Sequence, residues 1–138
     1  MKKRILLVED HIDMLDLLEK ALRFLGYETV IAKNGLEAVE MAESENPDLI
    51  VLDIALPKLN GFDVTTQIRK NLKTRLIPII AATATAMPGD REKCLMAGCD
   101  DYLAKPFTPV ELAYVIEEVL KRQSSQKTLS PRKTISTH

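Results

Sequence analysis

At 138 residues, 46% of them apolar, the chain can build one domain with a proper core but not two ordinary ones. A formal charge of -1 and a pI near 6.1 exclude a general electrostatic attraction to nucleic acid or anionic lipid. No segment approaches the roughly 20 apolar residues that span a bilayer.

Lys2-Lys3-Arg4 has the charge of a signal-peptide start, but the apolar run behind it, Ile5-Leu6-Leu7-Val8, stops at Glu9-Asp10, so the run reads as a strand and secretion is not expected. A first helix is expected from about Ile12 to Leu25, with Leu15, Leu18, Leu22 and Leu25 on its apolar face and Gly26 ending it. His11 reads as the residue that opens it. Thr29-Val30-Ile31-Ala32 is a second short strand. Behind it Asn34 can cap a helix from Gly35, with Glu37 three residues on and Leu36, Val39 and Ala42 as the apolar stripe.

Leu49-Ile50-Val51-Leu52 forms a third strand that ends in Asp53, and a helix fits from about Gly61 to Leu72. Ile79-Ile80-Ala81-Ala82 ends in Thr83, and a fourth helix fits Pro88 to Ala97. Tyr102-Leu103-Ala104 ends in Lys105. The clearest helix follows: Thr108-Pro109-Val110-Glu111 combines a hydroxyl cap, proline at the first helical position and a glutamate that completes a capping box. Leu112, Val115, Ile116, Val119 and Leu120 then recur at helical spacing. From Gln123 to His138 the chain is nearly devoid of apolar residues and cannot repay the entropy of ordering. The expected organisation is a domain over 1–122 and a disordered tail over 123–138.

Strand and helix alternate about five times, which calls for a parallel sheet covered on both faces with right-handed crossovers. The carboxyl ends of such strands lie together, where open α/β sheets bind ligands. Glu9, Asp10, Asp53, Thr83 and Lys105 would therefore converge. Helix capping explains any single acid or threonine among them, but it has no need of a lysine and a threonine beside three acids. Oxygen donors alone suit magnesium, which binds through one or two carboxylates and keeps several waters. Zinc or iron is disfavoured, because no His or Cys belongs to the set. Cys94 and Cys99 are too few for a disulfide framework and read as small buried thiols in a reducing cytoplasm.

These residues resemble the receiver domains of bacterial response regulators, over about Lys3 to Arg122. Glu9-Asp10 is similar to the family's acidic pair, and Asp53 in Leu52-Asp53-Ile54-Ala55-Leu56-Pro57 to its phosphoacceptor, with Gly61 at the glycine of that loop. Thr83-Ala84 resembles its hydroxyl-plus-small pair, Lys105-Pro106 its lysine and proline, and Tyr102 stands at its aromatic switch position. The resemblance implies a flavodoxin-like (CheY-like) α/β fold with strand order 2-1-3-4-5. It also implies a cis Lys105-Pro106 bond. It further implies Mg²⁺, with Mn²⁺ able to substitute, held by Asp10, Asp53 and the backbone carbonyl of Ala55, with Glu9 acting largely through water.

The activity implied is that of a single-domain response regulator of a two-component or phosphorelay system, a stand-alone receiver of the chemotaxis or phosphorelay kind. It is a phosphoacceptor that catalyses its own phosphorylation and dephosphorylation rather than an enzyme in the usual sense. Asp53 would accept a phosphoryl group from a sensor histidine kinase or phosphotransfer protein, with Lys105 and Thr83 meeting the phosphoryl oxygens. Thr83 and Tyr102 would then switch a surface of the last two helices and the strand between them, to be read by a downstream protein. Neither nucleic acid nor membrane is implied as a partner, and a monomer or weak dimer is expected.

Ala55 and Thr85 occupy positions where polar side chains can help to place the attacking water, so slow self-dephosphorylation is expected. Three rival readings differ in what they require. A metal-dependent phosphohydrolase using a phospho-aspartate usually has Asp-x-Asp at its first strand, where this chain has Glu9-Asp10-His11. A phosphorylation-independent scaffold predicts that Asp53→Ala leaves partner binding intact. A nucleotide-binding module lacks its glycine-rich loop after any strand.

Overall fold

Five short apolar runs pair side by side in the computed structural model as parallel strands: β1 (Arg4–Val8), β2 (Glu28–Ala32), β3 (Leu49–Asp53), β4 (Ile79–Thr83) and β5 (Asp101–Ala104). Their order across the sheet is β2-β1-β3-β4-β5, as the resemblance implied. The structure describes all residues except Met1, Pro57, Thr85–Met87 and the last two, with side chains described as far as Gln123. Five helices connect and follow the strands: α1 (Ile12–Phe24), α2 (Gly35–Ser44), α3 (Gly61–Lys70), α4 (Asp90–Ala97) and α5 (Pro109–Ser136).

The central strands β1, β3 and β4 are buried on both faces, which is why they read as continuous apolar runs rather than alternating ones. Alternation along each strand divides the core in two. Ile5, Leu7, Val51 and Ile80 pack against Leu15, Leu18 and Leu22 of α1 and Leu112, Ile116 and Val119 of α5. Leu6, Val8, Ile50, Leu52, Ile79 and Ala81 pack against Ala38 and Ala42 of α2, Val64 and Ile68 of α3, and Cys94 of α4.

Helix starts follow local chemistry. The Asn34 side chain accepts from the Glu37 amide at 2.9 Å and Asn60 does the same for Asp63 at 3.0 Å. At α5 the capping box closes in both directions: the Glu111 amide donates to Thr108 Oγ1 at 3.0 Å, and the Thr108 amide to Glu111 Oε1 at 2.7 Å. His11 precedes α1 without a side-chain cap bond.

Four expectations need correction. Leu36 is 53% exposed; the buried stripe of α2 is Gly35, Ala38 and Ala42, because Ala38 and Ala42 pack against the sheet and Gly35 against Leu59. Leu25 is 49% exposed, since the chain leaves α1 one residue earlier and turns at Gly26 with φ +96°. α3 ends at Lys70 rather than Leu72, because Asn71 adopts extended backbone. α4 begins at Asp90 rather than Pro88, because Gly89 before it takes a left-handed conformation. The expected tail of 123–138 lies, beyond Gln123, outside the residues whose side chains are described.

Candidate functional site

Register places the polar groups at one end of the sheet. Val8 pairs with Leu52, so Glu9 and Asp10 emerge beside Asp53, the last residue of β3. Asp53 pairs with Ala82 and Thr83 with Ala104, so Thr83 and Lys105 follow on the next two strands. Carboxylate oxygens of Glu9, Asp10 and Asp53 lie within 4.8 Å of one another. Glu9 and Asp53 are buried while Asp10 is exposed. Three oxygen donors, one of them open to solvent, suit a hard divalent cation that keeps part of its water shell.

Lys105 spans the site. Its ammonium donates to Glu9 Oε1 at 2.7 Å and stands 3.6 Å from Asp53 Oδ2. A small cavity beneath is lined by Leu7, Val8, Leu18, Ala82 and Phe107 together with Glu9, Asp53 and Lys105. The Lys105-Pro106 bond is cis, as expected, and the Lys105 amide donates to the Thr83 carbonyl at 2.8 Å. The other oxygens of Glu9 and Asp53 are engaged as well. The His11 amide donates to Glu9 Oε2 at 3.2 Å, and the Ala55 amide to Asp53 Oδ1 at 3.0 Å.

Burial, and then the Glu9 carboxylate beside it, push the Asp53 carboxyl from 3.8 up to about 6; Lys105 and the Ala55 amide oppose the shift. Two acids in one buried pocket cannot both ionise cheaply while a single ammonium serves them. The site is therefore short of positive charge, which a divalent cation would supply.

Gly61 is required by packing. A Cβ there would sit 2.7 Å from Ile54 Cα, and the Gly61 amide donates to the Ile54 carbonyl at 2.9 Å, closing the loop that follows Asp53. Gly35 is tighter still, with Leu59 O only 2.1 Å from where a Cβ would stand.

Thr83 is buried, and alternation turns it, like Ala81, toward the face covered by α3 and α4. Tyr102 pairs with Ala81 and packs into the same cluster. Its hydroxyl is already buried, with no hydrogen-bond partner among the described residues. Thr85 lies outside the described residues. Cys94 and Cys99 are free and buried, and burial pushes the Cys94 thiol up to about 12. Sequence reasoning missed Arg69 and Asp100, whose ion pair at 3.0 Å ties α3 to the start of β5; an arginine beside buried Ile68 carries no signal of its partner 31 residues on.

This end-of-sheet arrangement matches a known pattern across most of the chain: residues 5–117 fit the model of the response regulator receiver domain. The chain belongs to that family. Polar-differentiation response regulator DivK of Brucella anthropi is 38% identical over 120 residues, 87% of this receiver and 98% of DivK. The probable transcriptional regulator ycf27 of Cyanophora paradoxa is 43% identical over 133 residues, and there this receiver spans only 54% of the relative's length.

Solved structures agree in fold. The receiver domain of sensor histidine kinase PA1611 from Pseudomonas aeruginosa PAO1, with a magnesium ion coordinated in its active-site cleft, superposes with a TM-score of 0.81 at 43% identity. The match covers 88% of this receiver and 99% of that domain. A CheY-like receiver from Methanospirillum hungatei JF-1 gives 0.85 at 32% identity, covering 91% and 99%. The protein is thus the receiver domain of a response regulator in two-component signalling, and no described helix is long and apolar enough to cross a membrane.

Proposed function

We propose that this receiver accepts a phosphoryl group on Asp53 from the phosphohistidine of a sensor kinase or phosphotransfer protein, with Mg²⁺ at Glu9, Asp10, Asp53 and the Ala55 carbonyl. The observation that carries this reading is a cluster of three carboxylates, two of which share one ammonium, Lys105, at 2.7 Å from Glu9 and 3.6 Å from Asp53. A structural ion pair would be served by one acid. Here the second acid is left with its ammonium at a distance, in reach of a group that has yet to arrive.

Asp53 is the nucleophile: its carboxylate oxygen forms a bond to phosphorus as the phosphorus–nitrogen bond of the donor breaks. The Ala55 amide, bonded to Oδ1 at 3.0 Å, holds one carboxylate oxygen and leaves Oδ2, 3.6 Å from Lys105, as the attacking atom. Lys105 follows the charge as it moves onto the phosphoryl oxygens, and Thr83 donates to one of them. When bound, the metal ion neutralises the acids and draws charge from the transferring group. Thr83 and Tyr102 share the face covered by α4, so occupancy of Asp53 biases the surface of α4, β5 and α5 that a downstream protein reads.

Ala55 is exposed and has no polar side chain with which to orient water, which supports a long-lived phospho-Asp53. The likeness to DivK supports action in a two-component or phosphorelay system. Intact mass after incubation with Mg²⁺ or Mn²⁺ and acetyl phosphate tests the core of the reading. One added phosphoryl group on wild type and none on Asp53→Asn is expected. No adduct under either metal would favour a scaffold that works without phosphorylation.

A further inference from the structure

Among the described residues, Arg69 is the most heavily bonded side chain outside the acid site. Projecting from the last turn of α3, its Nε donates to the Gly98 carbonyl at 2.9 Å and its Nη1 to the carbonyls of Arg75 at 3.0 Å and Ile77 at 2.7 Å. Its Nη2 meets Asp100 Oδ2 at 3.0 Å. That same Asp100 oxygen accepts from the Ile79 amide at 2.8 Å, and the Asp100 amide donates to the Ile79 carbonyl at 2.8 Å. One guanidinium thus joins the end of α3, the start of β4 and the turn between α4 and β5. The next residue, Asp101, pairs with Arg122 of α5 at 2.7 Å, so the foot of β5 is gripped from both helical layers.

The turn itself is shaped to receive Arg69. Gly98 has φ +116°, and a Cβ there would stand 2.8 Å from Arg69 Cγ. The amides of Gly98 and Cys99 close the helix by donating to Leu95 and Cys94 at 3.1 and 2.9 Å, a Schellman ending. The other half of α4 is held differently. None of Asp90, Arg91, Glu92 or Lys93 is buried, Gly89 supplies no side-chain cap, and Cys94 is the helix's only buried residue.

We infer that Arg69 is a positioning residue that makes the α4–β5 turn a fixed anchor, so that the response of α4 to an occupied Asp53 is taken up by its amino-terminal half and pivots on the clamped end. The second half of this statement rests on the function proposed above, while the anchor itself does not. An ion pair with four further partners is costly to move as a unit, because each backbone carbonyl would lose a charge-assisted bond. Half a helix with no buried side chain costs far less to shift.

Backbone amides report on the two parts, whereas Cys94 and Cys99 touch side chain to side chain and would open together. The amides of Lys93 to Met96 face the carbonyls of the amino-terminal half, as Lys93 does with Gly89 at 3.0 Å, and those of Gly98 to Asp100 bond Leu95, Cys94 and Ile79 at the anchor. Hydrogen–deuterium exchange, located by peptide mass, should be run on wild type, Arg69→Lys and Asp100→Asn, with and without Mg²⁺ and beryllium fluoride as phosphoryl mimic. Intact mass after acetyl phosphate is read on the same preparations.

For wild type, the mimic is expected to speed exchange at Lys93 to Met96 at least threefold and to leave Gly98 to Asp100 unchanged. In either clamp variant Gly98 to Asp100 should exchange at least tenfold faster without mimic, and the response to the mimic should spread to both groups of amides. Equal acceleration of both groups by the mimic in wild type would overturn the pivot. Continued protection of Gly98 to Asp100 in both variants would overturn the anchor. A role in stability alone is also distinguishable, because it would raise both groups in the variants equally with and without mimic, and that result would count against the proposal. Should acetyl phosphate leave no adduct on wild type, the phosphoacceptor reading and the pivot fail together, and Gly98 to Asp100 in the variants alone decide the anchor.

Discussion

At the scale of single residues, the protein keeps one carboxyl in a state that costs stability. Folded Asp53 titrates near 6 against an ordinary 3.8, so the folded state binds its proton more tightly than the unfolded one does. Stability is then lost as pH rises from about 4 to about 6, and it stays lost above. Asp53→Asn removes the cost, and Glu9 keeps Lys105 at 2.7 Å. In EDTA at pH 8, urea unfolding should find Asp53→Asn more stable than wild type by about 1–3 kcal/mol, with the gap closing near pH 4. Equal stabilities at pH 8 would show that Asp53 carries no such penalty.

Ala55 offers a second residue-scale prediction. Replacing it by Asn places an amide where the side chain is exposed and two residues from the acceptor. The half-life of phospho-Asp53, followed by loss of the mass adduct, should shorten by about tenfold, less than the roughly 10²–10⁴-fold of a true general acid or base, because an amide only orients the water. An unchanged half-life would mean that water is placed by some other group.

At the scale of elements, the starts of helices carry stability and the loops before them carry the site. Thr108→Ala breaks one arm of the α5 capping box and should cost about 1 kcal/mol in urea unfolding while leaving phosphorylation intact, since the box lies outside the acid cluster. Gly61→Ala should behave in the opposite sense. Its new Cβ would press on Ile54 Cα at 2.7 Å and displace the loop behind Asp53. Phosphorylation by acetyl phosphate should fall by about tenfold, in line with the sensitivity of transfer to small misplacements; a normal rate would show that the loop yields without cost to the site.

Most of the elements were legible because their signals are local. Asn34, Asn60 and Thr108 cap helices by bonding amides three residues away, and such contacts are visible as spacing. Leu36 misled for the complementary reason: its apolarity is local, but which side of α2 meets the sheet depends on how closely Gly35, Ala38 and Ala42 let the helix approach.

At the scale of the whole molecule, residues far apart in the chain make one site because all five strands run parallel and present the same end. The acids and the ammonium at that end all precede Arg122, so a chain truncated after Arg122 is expected to take up phosphoryl from acetyl phosphate at the wild-type rate. A slower rate would give the tail a part in the reaction.

By itself the sequence determined the alternation of strands and helices, the residue closing each strand, and so the gathering of Glu9, Asp10, Asp53 and Lys105 at one end of the sheet. It could do so because period, capping and strand-end position are properties of neighbours in the chain. Only the tertiary structure decided that Lys105 leans on Glu9 rather than Asp53, that the Tyr102 hydroxyl is buried without a partner among the described residues, and that Arg69 grips the turn beyond α4. Those outcomes are set by distances between side chains on different elements and by the water each excludes, and spacing along a chain does not encode them.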